Sequence, residues 1–182
     1  MEEKKLAGLE PGAVFEYFEA LCAIPHGSHN TKAISDFLVD FAKKQQIRYI
    51  QDESNNIILF ADGTCGLEDH EPVVLQGHMD MVCEKDEGCS IDMDTQGLDL
   101  CHDNLCVFAK GTTLGGDDGI AVAYALAIMD SPEIAHPRLE VVITVDEEIG
   151  MLGAEVIDLS MLKGHKLLNI DSDVEGHFLT SC

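Results

Sequence analysis

Tryptophan is absent from the 182 residues, and Phe and Tyr bring the aromatic fraction only to 5%. So thin a supply of flat rings excludes a base-stacking platform for single-stranded nucleic acid and disfavours an interface built on aromatic anchors. Positive charge is also scarce, with 11 Lys and Arg against 34 Asp and Glu and a formal net charge of -23. Such a surface repels a phosphate backbone or an anionic membrane face and attracts cations. No stretch approaches the roughly 18 apolar residues of a membrane span, and the opening MEEKKLAGLEPG is charged where a secretory leader is apolar. Nucleic acid and membrane are therefore not expected partners, and the expected location is cytoplasmic. No CxxC pair occurs among Cys22, Cys65, Cys83, Cys89, Cys101, Cys106 and Cys182. They read as free thiols in a reducing compartment, buried as small apolar side chains. The P-loop and GxGxxG fingerprints of nucleotide sites are missing as well.

What is present describes a folded α/β chain of one domain, with 46% apolar and 25% charged residues. Val14, Phe15, Phe18, Leu21 and Cys22 recur at helical spacing between Pro11 and Pro25. After the turn HGSHN, with Ser28 or Asn30 as cap, Ile34, Phe37, Leu38 and Phe41 mark a second helix. NIILF at 56–60 and VVLQ at 73–76 read as strands, separated by an acidic loop. Residues 86–111 predict an extended meander with one short strand near Leu105 to Ala109. A helix over 118–129 shows Ala121, Val122, Ala125, Leu126 and Met129 on one wide face. LEVVITV at 139–145 reads as a strand covered by helices on both faces, followed by a short helix at 152–160 and a strand at 165–170. Alternation of this kind implies an open, mostly parallel sheet flanked by helices.

Four acidic motifs sit where that architecture gathers chemistry. QGHMDMV (76–82) follows a strand, and its His78 and Asp80 suit a metal ligand and the carboxylate that orients it. TLGGDDG (113–119) sets Asp117 and Asp118 in the first turn of a helix, where they could equally be a plain Asp cap. VDEEIG (145–150) ends the strongest strand, and neighbouring carboxylates there can divide the work of ligand and general base. NIDSD (169–173) again ends a strand, though an Asx-rich turn would look the same. In an open α/β sheet the carboxyl ends of the strands define one crevice, so all four motifs share a site. His78 with Asp80, Asp117, Glu147, Glu148 and Asp171 puts five negative charges around one imidazole, a balance that two divalent cations satisfy. Mixed imidazole and carboxylate donors without Cys suit Zn, Mn or Co better than Mg.

GHMDMV, LGGDDG, VDEEIG and NIDSD, in this order and spacing, resemble the di-zinc metallopeptidases of the aminoacylase and glutamate-carboxypeptidase type. LGGDDGIAVAYALAI, with ALCAIPHGSHN and LLNIDSDVEG, is most similar to the aminoacyl-histidine dipeptidase (Xaa-His dipeptidase) branch. The resemblance implies a zinc-peptidase-like catalytic domain and hydrolysis of aminoacyl-histidine dipeptides by a metal-activated water. It assigns His78, Asp117, Glu148 and Asp171 to two zinc ions, with Asp117 bridging. Asp80 would orient His78, Glu147 would be the general base, and Asp118, Asp146 and Asp173 would act from further out. The choice of Asp117 over Asp118 and of Glu147 as base over Glu148 comes from the family pattern alone.

Proteins of that family are considerably longer, with an inserted smaller domain and a later His ligand that nothing here matches. The expectation is therefore that residues 1–182 are the N-terminal part of a catalytic domain, incomplete at its C-terminus and inactive alone, whose longer form is a homodimer. The rival readings are a broader cytosolic aminopeptidase, an N-acyl-amino-acid deacylase, and an acidic cation-binding or interaction module without catalysis.

Overall fold

The computed structural model describes residues 4–103, 105–172 and 176–180, so Asp173 and Cys182 lie outside the described residues. Two helices open the chain, α1 (Gly12–Cys22) and α2 (Lys32–Gln45). The strands β1 (Arg48–Gln51), β2 (Ile57–Ala61) and β3 (Val73–His78) follow, then β4 (Leu100–His102) and β5 (Val107–Ala109). Next come α3 (Gly116–Asp130), β6 (Leu139–Thr144), α4 (Leu152–Val156) and β7 (Lys166–Asn169).

Five strands form one sheet in the order β1-β2-β6-β3-β7, while β4 and β5 make a separate antiparallel hairpin. The sheet is mixed. β3 runs parallel to both β6 and β7, whereas β1 with β2 and β2 with β6 are antiparallel. The expectation of a mostly parallel sheet is thus corrected, because periodicity reports burial and not strand direction. The parallel half is a crossover unit, β3-α3-β6, and α3 supplies the connection that parallel neighbours require.

The main core lies between one face of the sheet and α1, α2 and α3, and includes Phe18, Leu21, Leu38, Leu59, Leu75, Leu126, Val141 and Ile143. A smaller cluster, Ile58, Phe60, Val74 and Val142, fills the opposite face, covered by Ile157 and Leu162. β6 is buried along its whole length, as its apolar run predicts, but the cover on the second face comes from the segment after α4 and not from a packed helix. Its one acid, Glu140, is satisfied inside: one carboxylate oxygen accepts from Arg138 Nε at 3.1 Å and the other from the backbone of Lys163 and Gly164 at 2.7 and 3.0 Å.

Other differences have local causes. β1 escapes the periodicity because its four residues, RYIQ, are only half buried at a sheet edge. In the 86–111 meander the strand expected at Leu105 to Ala109 is shortened to β5 and pairs with β4. Neither Ser28 nor Asn30 caps α2; Thr31 holds that position without a side-chain bond, and both side chains point elsewhere. Among the described cysteines only Cys22 is buried, while Cys65, Cys83 and Cys106 are exposed and Cys89 and Cys101 half-buried, so a buried apolar role holds for one of them. Among the described residues no helix is long and apolar enough to cross a membrane.

Candidate metal centre

The carboxyl ends of β3, β6 and β7 lie side by side, and the functional motifs leave the sheet there. His78 is the last residue of β3 and is fully buried. Its Nδ1 lies 2.9 Å from the backbone oxygen of Asp80. A carbonyl can only accept, so Nδ1 carries the proton and Nε2 is turned toward the carboxylates. Nε2 stands 2.9 Å from Asp117 Oδ1 and 3.9 Å from Glu147 Oε2.

Asp80 is buried behind this imidazole. Its Oδ1 accepts the backbone N–H of Glu147 at 3.0 Å, and its Oδ2 accepts the Ser28 hydroxyl at 2.8 Å and the N–H of Glu148 at 3.4 Å. Burial pushes the Asp80 carboxyl up, but His78, the Glu147 N–H and the Ser28 hydroxyl outweigh it and hold the group below the usual range. One carboxylate thereby fastens the end of β3 to the turn that follows β6.

Asp117 and Asp118 come from the start of α3, yet neither has helical dihedrals. The helix enters through Gly115 at φ 69°, a left-handed conformation that glycine adopts freely. A side chain at that position would also strike Met81 Sδ and His26. This entry sends the two acids in different directions: Asp117 is exposed toward His78, and Asp118 is 1% exposed beneath it. Both acids thus stand in the first turn of α3 as expected, but with non-helical dihedrals. Asp118 sits against Gly77, where an added Cβ would stand 2.6 Å from its Oδ2, so the glycine makes room for the acid. That Oδ2 has no hydrogen-bond partner among the described residues.

The acidic turn after β6 is built on a buried amide. Asn56 Oδ1 accepts the N–H of Val145 at 3.0 Å, while its Nδ2 donates to Gly153 O at 3.0 Å and to Asp52 at 2.8 Å. Glu147 and Glu148 are thus presented from a clamped loop and are half-buried. Asp146 faces the other way, accepting the His29 N–H at 2.7 Å. Asp171 follows β7, whose Asn169 pairs with Gln76 in the same register that leads to His78.

Among the described residues one set of donors converges: atoms of His78, Asp117 and Glu148 all lie within 4.8 Å of one another. Asp171 is not part of that trio, and it reaches the centre through its charge, which helps raise Asp118. For Asp118 burial is the largest cause, opposed by His78 and reinforced by Asp171 and Asp117, and the carboxyl is pushed up to about 8. His78 is depressed by burial but raised more by Asp80, Asp118 and Asp117, to about 9. Glu148 is raised by burial and by the charges of Asp117, Glu147 and Asp80. Carboxylates held up and an imidazole kept protonated describe a site with surplus negative charge.

The residues fit a divalent cation on the chemistry of the donors. Nδ1 is already committed to a carbonyl, which fixes the tautomer whose Nε2 can ligate, and two carboxylate oxygens complete a mixed N/O trio. The orphaned oxygen of Asp118 beneath them adds charge that a cation offsets. Ser28, Asn56 and His29 support this arrangement without any signal in the sequence spacing; only the polar turn HGSHN stood out, and its contacts span the fold.

No protein-family model matches the chain. The chain is 35% identical over 178 residues to the cytosol non-specific dipeptidase of Escherichia coli (strain K12), an alignment covering 98% of this chain and 37% of that protein. The structure superimposes on aminoacylhistidine dipeptidase from Vibrio alginolyticus with a TM-score of 0.90 and 39% identity, covering 94% of this chain and 35% of that one. Aminopeptidase PepT from Bacillus cereus shares the fold at a TM-score of 0.74 and 20% identity, over 89% of this chain and 43% of its own. The chain therefore spans a little over a third of the length of the dipeptidases it matches.

Proposed function

We propose that this chain, which is related over 98% of its length to the cytosol non-specific dipeptidase and structurally to aminoacylhistidine dipeptidase, carries the hydrolytic centre of a metal-dependent dipeptidase. The observation that carries the reading is the convergence of His78, Asp117 and Glu148 at the carboxyl ends of the strands. In this reading these three hold one divalent ion, and Asp117 with Asp171 contributes to a second. Zinc suits the donors, with Co or Mn as alternatives. When bound, such ions polarise the scissile carbonyl and acidify a nearby water.

The chain's own residues do the rest. His78 keeps its orientation because Nδ1–H is held by the Asp80 carbonyl. In this reading Glu147, whose Oε2 is 3.9 Å from His78 Nε2 and whose side chain is 31% exposed, accepts a proton from the attacking water and returns it to the leaving amine. Asp80 holds the Glu147 N–H, which fixes the base relative to the imidazole. Residues 1–182 act in this reading as the N-terminal part of the catalytic domain, in a cytoplasmic enzyme whose whole form dimerises.

The substrate class we favour is the aminoacyl-histidine dipeptides. The 35% identity to a protein named a non-specific dipeptidase supports a second reading, a broader range of dipeptides. Hydrolysis by the whole enzyme of a panel of Xaa-His dipeptides, other dipeptides and N-acyl amino acids, before and after chelation and with zinc restored, tests both. Zinc-restored cleavage of Xaa-His substrates at least tenfold above the rest supports the first reading. Uniform dipeptide cleavage supports the second, and activity indifferent to chelation sinks both.

A further inference from the structure

The segment 25–30 between α1 and α2 does more than join two helices. The His26 carbonyl accepts the Met81 N–H at 3.2 Å, and Gly27 forms a parallel bridge with Met81. Ser28 donates its hydroxyl to Asp80 Oδ2 at 2.8 Å. His29 donates its N–H to Asp146 Oδ1 at 2.7 Å, with its ring nitrogen 3.4 Å from Oδ2. These contacts cross from the end of β3 to the turn after β6, the two places that supply His78 and Glu148.

We infer that Ser28 is a positioning residue of the metal centre: by fixing the Asp80 carboxylate, its hydroxyl sets the spacing between the imidazole on β3 and the carboxylates after β6. The inference rests on the metal reading above and extends it to a residue outside the four acidic motifs. The Asp80 carboxylate faces both elements, with Oδ1 3.5 Å from His78 Nδ1 and 3.0 Å from the Glu147 N–H. Oδ1 makes both contacts together, so a carboxylate rotated about its Cβ–Cγ bond would lose both. Ser28 approaches the second oxygen together with the Glu148 N–H and removes that freedom. The bond is charge-assisted and partly shielded from water, conditions in which one hydroxyl has large leverage on geometry.

The experiment compares wild type, Ser28→Ala and Ser28→Thr, each stripped with chelator, by calorimetric titration with zinc and by the visible absorption of cobalt bound in its place. Partners of metal-holding groups typically change affinity by about 10- to 100-fold when removed. Ser28→Ala is expected to bind zinc about 10-fold or more weakly and to give an altered cobalt spectrum, with both restored by Ser28→Thr. Where the alanine variant does not fold, Ser28→Cys, nearly isosteric but a weak donor, replaces it. Wild-type zinc affinity and cobalt spectrum in the Ala or Cys variant would overturn the inference. Failure of the wild type itself to take up zinc would instead overturn the metal reading, and the positioning role with it.

Discussion

Replacing Gly77 by alanine adds one methyl group at a crowded point beneath the candidate metal centre. Built on the existing backbone, the new Cβ lies 2.6 Å from Asp118 Oδ2, 3.5 Å from Asp118 Cγ and 3.1 Å from Ala121 Cβ. Neither neighbour can yield easily, since Asp118 is buried and Ala121 belongs to the packed face of α3. Overpacking of this kind costs about 1–3 kcal/mol. A loss of about 2 kcal/mol lowers Tm by about 4–8 °C in a chain of this size. Relief by moving the start of α3 displaces Asp117 as well, so zinc affinity should fall together with Tm. Gly12→Ala is the matched control, because its new Cβ in α1 meets only Glu10 Oε2, at 3.9 Å, and alanine suits a helix better. Thermal unfolding and zinc titration of the two variants side by side make the test. A Gly77→Ala protein with wild-type Tm and wild-type zinc affinity would show that the packing of Asp118 against β3 does not position the site.

The two glutamates should separate. In the whole enzyme, Glu147→Gln is expected to keep zinc content while turnover drops by about 100- to 10,000-fold, whereas Glu148→Gln is expected to lose zinc; parallel losses in both, read by elemental analysis and rate, would mean the roles are misassigned. The stripped protein should also lose stability in alkali. His78, raised from 6.5 to about 9, favours folding fully below its ordinary value and ceases to do so as pH rises through about 9. Asp118, an acid raised from 3.8 to about 8, acts in the same direction by holding its proton in the folded chain up to about pH 8. Tm measured from pH 6.5 to 9 should therefore fall, less steeply in His78→Gln and in zinc-saturated protein; a Tm that rises over this window, or the same slope in all three, contradicts the assignment.

The parts of the molecule that could be read in advance are those written in one stretch of sequence. α1 and α2 announce themselves by apolar spacing and β6 by an apolar run; the expected Val14, Phe18, Leu21, Cys22, Ile34, Leu38 and Phe41 are buried, while Phe15 and Phe37 are half-buried and Ser35, Val39 and Ala42 are buried unannounced. Three of the four acidic motifs contribute to the trio His78, Asp117 and Glu148, a grouping expected because strand ends in an α/β sheet share one side. Strand direction was not, since β2 and β3 have similar apolar runs yet lie antiparallel and parallel to β6. Nor could spacing separate Asp117 from Asp118: their divergence depends on a left-handed Gly115 and on the gap left by Gly77, far away in sequence. Ser28 and Asn56 were hidden for the same reason, because their bonds to Asp80 and Val145 span 52 and 89 residues.

The most direct measurement is the zinc stoichiometry of the chelator-stripped protein after reloading and exhaustive dialysis, determined by elemental analysis alongside His78→Ala. At least one ion per chain in the wild type, and its loss in His78→Ala, is the expected result. Zinc content near zero in the wild type, or equal content in the two proteins, would contradict a metal centre built on His78, Asp117 and Glu148.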